Sequence, residues 1–191
     1  MTATRDGRAT TRVGTNKSAP AMANFRAYPA PSPLATPTDL EGNDVKAVVE
    51  AVNPLIADSI ALYVKTKHFH WHVYGSHFRD YHLLFDEQAE TILESIDPLA
   101  ERLRKIGGTT IRSISHVSSL QTIADDDEVD IPAPEMLSRL LEDNEKMAAA
   151  QRAAIDTCEE HNDSVTANVL QEILDATERR IWFLHEAAQR G

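Results

Sequence analysis

His70 to Asp86 reads HWHVYGSHFRDYHLLFD, and Asp97 to Gly108, eleven residues further on, reads DPLAERLRKIGG. Gly75 divides two apolar rhythms. After it, Leu83, Leu84, Ile92, Leu93, Ile96, Leu99 and Leu103 recur at helical intervals until Gly107-Gly108, which predicts one long amphipathic helix stopped by glycine. His82 and Asp86 are four residues apart on it, as are Asp97 and Glu101, so each pair projects from one helical face. The eleven residues from Asp86 to Asp97 are about three turns, which keeps both pairs on nearly the same face but ~16 Å apart along the axis. Bonds to a metal ion are only ~2–2.5 Å long. One chain therefore cannot bring both pairs to one ion.

Upstream, Val45, Val48, Val49, Val52, Leu55, Ile56, Leu62 and Tyr63 predict a first helix from about Asn43 to His72, with a kink at Pro54. Pro98 predicts a bend in the second helix beside Asp97. Residues 109–134 form a long connection with a short helix expected around His116 to Ile123 and an exposed acidic run from Asp125 to Asp130. A third helix is expected from Ala133 or Pro134 through Leu137, Leu140, Met147, Ile155 and Cys158. Asp163 then caps a fourth that contains Val169, Leu170, Ile173, Ile181 and Leu184. Strand signals are nearly absent. The expected architecture is an all-α four-helix bundle over residues 39–191, with a short helix in the long crossover between helices two and three.

The 191 residues have room for one ordinary domain, and 42% hydrophobic content fills its core. The lone Cys158 excludes an intrachain disulfide, a zinc ribbon and a redox CxxC, and fits a small core residue in a reducing cytoplasm. No apolar run approaches the ~20 residues of a membrane helix and the N-terminus lacks a signal-peptide apolar core, so a cytoplasmic protein with no membrane partner is expected. Residues 1–38, rich in Pro, Ala and Thr, are expected to be a flexible tail. Arg5, Arg8, Arg12, Lys17 and Arg26 against Asp6 give that tail +4, which leaves −15 of the total −11 to the remainder. A basic arm on an acidic body suits non-specific, salt-sensitive contact with DNA phosphates and association with the nucleoid; a merely solubilising extension would do neither.

A two-fold dimer with antiparallel second helices would set His82 and Asp86 of one subunit against Asp97 and Glu101 of the other, with His70 adding an imidazole from the end of the first helix. Mixed imidazole and carboxylate ligands with room for water suit Fe(II) better than magnesium or structural zinc. Spacing alone leaves a second reading open, because acids at i, i+4 are commonplace on solvated helix faces and single histidines are commonly structural. A di-iron oxygenase would instead carry Glu-x-x-His motifs on two helices. Here Glu178 stands seven residues before His185, and Cys158 occupies the position three before His161.

KTKHFHW from Lys65 to Trp71, then Gly75, Phe78, His82, Asp86, Asp97, AlaGluArg at 100–102 and GlyGly at 107–108, resembles the signature of the Dps family, the dodecameric mini-ferritins. The similarity extends over residues 43–188, through RSISHVSSL at 112–120 and IWFLHE at 181–186, and leaves the tail outside. The resemblance implies a ferroxidase centre made of His70, His82 and Asp86 from one subunit and Asp97 and Glu101 from its two-fold mate. It implies that iron is oxidised from Fe(II) to Fe(III), preferentially with hydrogen peroxide and otherwise dioxygen. The product would be stored as mineral inside a homo-dodecameric shell, which protects DNA from oxidative damage. It further implies Trp71 near the centre, where core packing is its expected role, and Asp163 as a candidate pore acid. A nucleoid-compacting protein in which DNA binding dominates is the alternative. His68, His72 and His77 make the first turn region rich in imidazole, for which surface residues or an accessory metal site are the two readings. His116, His161 and His185 have no partners at diagnostic spacing.

Overall fold

The computed structural model describes residue 30 and residues 32–189, and the basic residues Arg5, Arg8, Arg12, Lys17 and Arg26 lie outside them. A 3-10 turn, Ser32–Leu34, precedes five α-helices: α1 Gly42–His72, α2 Phe78–Lys105, α3 Ile114–Leu120, α4 Ala133–Glu160 and α5 Ser164–Ala188. No strand occurs among the described residues.

Polar ties between helices fix the topology. Asp44 at the start of α1 accepts from His161 just past the end of α4 (2.7 Å), and Lys65 late in α1 pairs with Asp143 early in α4 (2.7 Å), so α1 and α4 are antiparallel. Arg102 near the end of α2 reaches Asp163 at the start of α5 (2.7 Å), while Gln88 early in α2 meets Arg180 late in α5 (3.3 Å), so α2 and α5 are antiparallel as well. With α1 and α2 joined by a tight turn, the order is up, down, down, up. The chain must therefore travel the full length of the bundle between α2 and α4. It climbs along α1: Asn53 donates to the Thr109 carbonyl (3.0 Å), Asp58 accepts from the Thr122 and Ile123 amides (2.5 and 3.0 Å), and Tyr74 donates to Asp130 (2.9 Å). α3 packs on α1 within this crossover.

One continuous core joins the four long helices, with Val48, Val49, Val52, Ile56, Leu62 and Phe69 of α1 against Phe85, Ile92, Leu99 and Leu103 of α2 and Leu137, Leu140, Leu170 and Leu184 opposite. Cys158 is buried in it as expected, and burial pushes its thiol up to about 12, which leaves it an unreactive small apolar group. α1 is so apolar that its length and composition would pass for a membrane-crossing helix, contrary to the expectation that no such segment exists. The reason is that α1 contacts α2, α3 and α4, so most of its circumference faces protein.

Pro54 lies inside α1 and Pro98 inside α2, each helix continuing past its proline as expected. The structure revises several local expectations. α3 begins earlier than expected because Ser113 caps it, its hydroxyl accepting from the His116 amide (3.2 Å). α4 ends where Asn162 takes φ +61°, a conformation asparagine tolerates. The expected flexible tail also ends earlier than residue 38: Arg104 donates to the Leu34 carbonyl (2.6 Å), and the Thr36 backbone presses on Gly107, where a Cβ would meet Thr36 O at 2.9 Å. Ala30 is buried.

Candidate metal centre

The turn from Val73 to His77 brings the end of α1 beside the start of α2. Gly75 makes it possible, with φ at +110°, a region closed to residues with a side chain. His70, two residues from the end of α1, thereby faces His82 in the second turn of α2. Each ring is fastened by the other's backbone: His70 Nδ1 donates to the His82 carbonyl (2.8 Å) and His82 Nδ1 to the His70 carbonyl (2.9 Å). A carbonyl can only accept, so the proton of each neutral ring is on Nδ1 and the lone pair on Nε2. The rings stack with centroids 3.7 Å apart and planes 23° from parallel, and Phe78 packs on the outer side of His82. Backbone carbonyls that fix the tautomer in this way prepare imidazoles as ligands.

Asp86 is one turn further along α2. Its Oδ1 lies 3.8 Å from His70 Nε2, beyond hydrogen-bond reach, yet close enough for one cation with bonds of ~2.0–2.2 Å to lie between them. Lys67 of α1 currently holds that oxygen at 2.6 Å, and this hydrogen bond keeps the carboxyl below its ordinary range. Sequence reasoning missed Lys67, whose only signal is its place one turn before His70 on α1.

Asp97 and Glu101 stand exposed in the second half of α2, with Glu101 paired to its helical neighbour Lys105 (3.0 Å). The structure thus unites His70, His82 and Asp86 and keeps Asp97 and Glu101 apart from them. Among the described residues of one chain, no three His, Cys, Asp or Glu side chains are placed to hold a metal ion together.

Two further expectations are corrected. Trp71 is 65% exposed, because its place beside His70 turns it off the core face of α1; Tyr74 and Phe78 are exposed as well. Asp163 is 1% exposed at its side chain and cannot line an open pore in this chain. It caps α5 by accepting from the Thr166 amide (3.0 Å) and hydroxyl, and it pairs with Arg102. Of the other histidines, His72 Nδ1 donates to the His68 carbonyl (2.8 Å), His77 precedes α2 on the surface, and His161 gains Asp44 as a partner that spacing could not reveal.

Four long antiparallel helices with a full-length crossover, carrying an imidazole and carboxylate cluster, define a ferritin-like bundle, and the ferritin-like domain family model matches residues 49–191. The chain is 36% identical over 141 residues to an uncharacterised low-temperature-induced protein of Nostoc sp., covering 73% of this chain and 78% of that one. It is 31% identical over 145 residues to DNA protection during starvation protein 1 of Deinococcus radiodurans, covering 76% and 70%. DpsC from Streptomyces coelicolor superimposes with a TM-score of 0.78 at 32% identity, over 82% of this chain and 91% of that one. The chain belongs to the Dps family of ferritin-like proteins. Iron storage and DNA protection are the general functions of that family.

Proposed function

We propose that this protein is a ferroxidase of the cytoplasm that oxidises Fe(II), with hydrogen peroxide as the preferred oxidant and dioxygen as the other, at sites shared between two subunits of a dodecameric shell. Each site would take His70, His82 and Asp86 from one subunit and Asp97 and Glu101 from its mate. The observation that carries the reading is the reciprocal fastening of His70 and His82, which commits both Nδ1 atoms to backbone carbonyls and sets His70 Nε2 3.8 Å from Asp86 Oδ1. A second observation supports a dyad. His82 with Glu101, and Asp86 with Asp97, are centred on the same point of α2, between Thr91 and Ile92, as one two-fold axis across antiparallel helices requires.

In this reading Fe(II) is the substrate. The imidazoles receive the divalent ion, Lys67 yields Asp86 to it, and the anionic carboxylates favour the trivalent product. Two ferrous ions give one electron each to a peroxide, whose O–O bond breaks to leave two oxygens that take up protons as water. The Fe(III) passes to mineral in the shell interior. Removing both reactants together starves the chemistry that makes hydroxyl radical near DNA.

Asp97→Ala with Glu101→Ala should lower the initial rate of peroxide-driven Fe(II) oxidation, followed by ferric absorbance, at least ~10-fold while the assembly keeps its size. An undiminished rate would remove these residues from the site. DNA contact belongs to the same proposal and rests on the +4 of residues 1–38. Because residues 32–38 pack on the bundle, the truncation to make is of residues 1–28; it should abolish retardation of plasmid DNA at low salt, and retained retardation would refute a role for the basic arm.

A further inference from the structure

α5 carries a positive charge into the interior without an anion to meet it. Arg180 is 5% exposed. Its Nε donates to Asn144 Oδ1 (2.8 Å), its Nη2 to Thr177 Oγ1 (2.8 Å) and its Nη1 more weakly to Thr91 Oγ1 (3.4 Å). Among the described residues no carboxylate comes within ion-pair distance of it. Buried guanidinium groups ordinarily sit against carboxylates or phosphates, because burial without an opposite charge is costly. Here burial alone pushes the group down to about 10.

Arg180 borders a half-open cleft of about 370 Å³ between α2 and α5, lined also by Leu84, Gln88, Thr91, Ala176 and Phe183, with Glu87, Glu90 and Asp175 among its acids. That is far more than the ~30 Å³ a water occupies. Gln88, 4% exposed, spends its Nε2 on the Arg180 carbonyl and, among the described residues, leaves Oε1 buried without a partner. Two groups at this cleft therefore go unmatched among the described residues: Arg180, which no lining carboxylate reaches, and Gln88 Oε1, which no donor reaches. One small molecule matches both if it is an anion that still carries an O–H. Glu87, Glu90 and Asp175 at the lining, against Arg179 held over the Phe183 ring at 5.3 Å, oppose a fully ionised anion and favour a partly protonated one.

We propose that this cleft binds a small protonated oxyanion, inorganic phosphate, with Arg180 taking its charge and Gln88 Oε1 its proton. Sulfate has the same shape but no proton near neutral pH, so the site should distinguish the two. The proposal is independent of the ferroxidase reading and is tested on the full chain without iron.

Thermal unfolding and calorimetry are carried out near pH 6.5 in phosphate, sulfate and chloride at matched ionic strength. Phosphate at about ten times its dissociation constant should raise the melting midpoint by about 3–5 °C over chloride, with sulfate giving no such rise. Arg180→Met should abolish the phosphate increment. Gln88→Leu, which removes an orphaned acceptor and keeps Arg180, should melt no lower than the parent without phosphate and lose the distinction from sulfate. Equal shifts in phosphate and sulfate for the parent, no heat of phosphate binding, or a full phosphate increment retained by Gln88→Leu would each overturn the site and leave Arg180 a cross-tie among α2, α4 and α5.

Discussion

Asp163 shows how much one side chain's surroundings decide. Its sequence position, in a polar break before a helix, suits both a cap and a pore acid. The structure gives it the Thr166 amide and the Arg102 guanidinium, both satisfied inside the protein. Asp163→Ala should therefore cost stability, about 3 kcal/mol from the lost cap together with a stranded Arg102, seen as a fall in denaturation midpoint. A pore role predicts the reverse pattern, with slower iron uptake and an unchanged midpoint. Four of the five proposed ligands could be proposed from spacing, because His82, Asp86, Asp97 and Glu101 lie on one helix, where i, i+4 spacing is itself geometry; His70 lies on α1. Lys67 beside Asp86, Asp44 beside His161, and the Arg180 group were not readable, since each joins different helices and no spacing rule crosses that distance.

Among the elements, the α1–α2 turn has the largest effect on the candidate site. His70 and His82 meet because five residues reverse the chain, and Gly75 holds the one left-handed angle in that reversal. No atom crowds the place its Cβ would occupy, so the demand is purely on the backbone. Gly75→Ala should cost about 1–3 kcal/mol of stability and slow Fe(II) oxidation by loosening the paired rings, whereas an unchanged midpoint with unchanged oxidation would show that the turn relaxes freely. The periods of α1, α2, α4 and α5 made the helices legible. Pro54 and Pro98 were legible as positions inside continuous helices, because the apolar period runs on past each of them. The crossover and its short helix were legible, but its path was not, since that depends on Asn53 and Asp58, whose side chains take up its backbone groups from within α1.

For the molecule as a whole, the exposed face of α2 is the deciding surface. Leu93 is 49% exposed and lies on the same face as His82, Asp86 and Asp97, close to the proposed dyad. If two copies meet there, Leu93 meets its own counterpart. Leu93→Lys should leave the isolated fold within ~0.5 kcal/mol, as a surface change does, yet set two like charges together across the axis. Sedimentation should then show smaller species, with Fe(II) oxidation falling in step. A full-sized assembly with normal oxidation would place the dyad elsewhere.

The clasp between His70 and His82 separates folding from assembly. Each imidazole is oriented by bonds that close within one chain, so the nitrogen-bearing half of the proposed centre is finished before any partner arrives. A dissociated subunit would be a primed but idle receptor, and association would join ready-made parts without remodelling them.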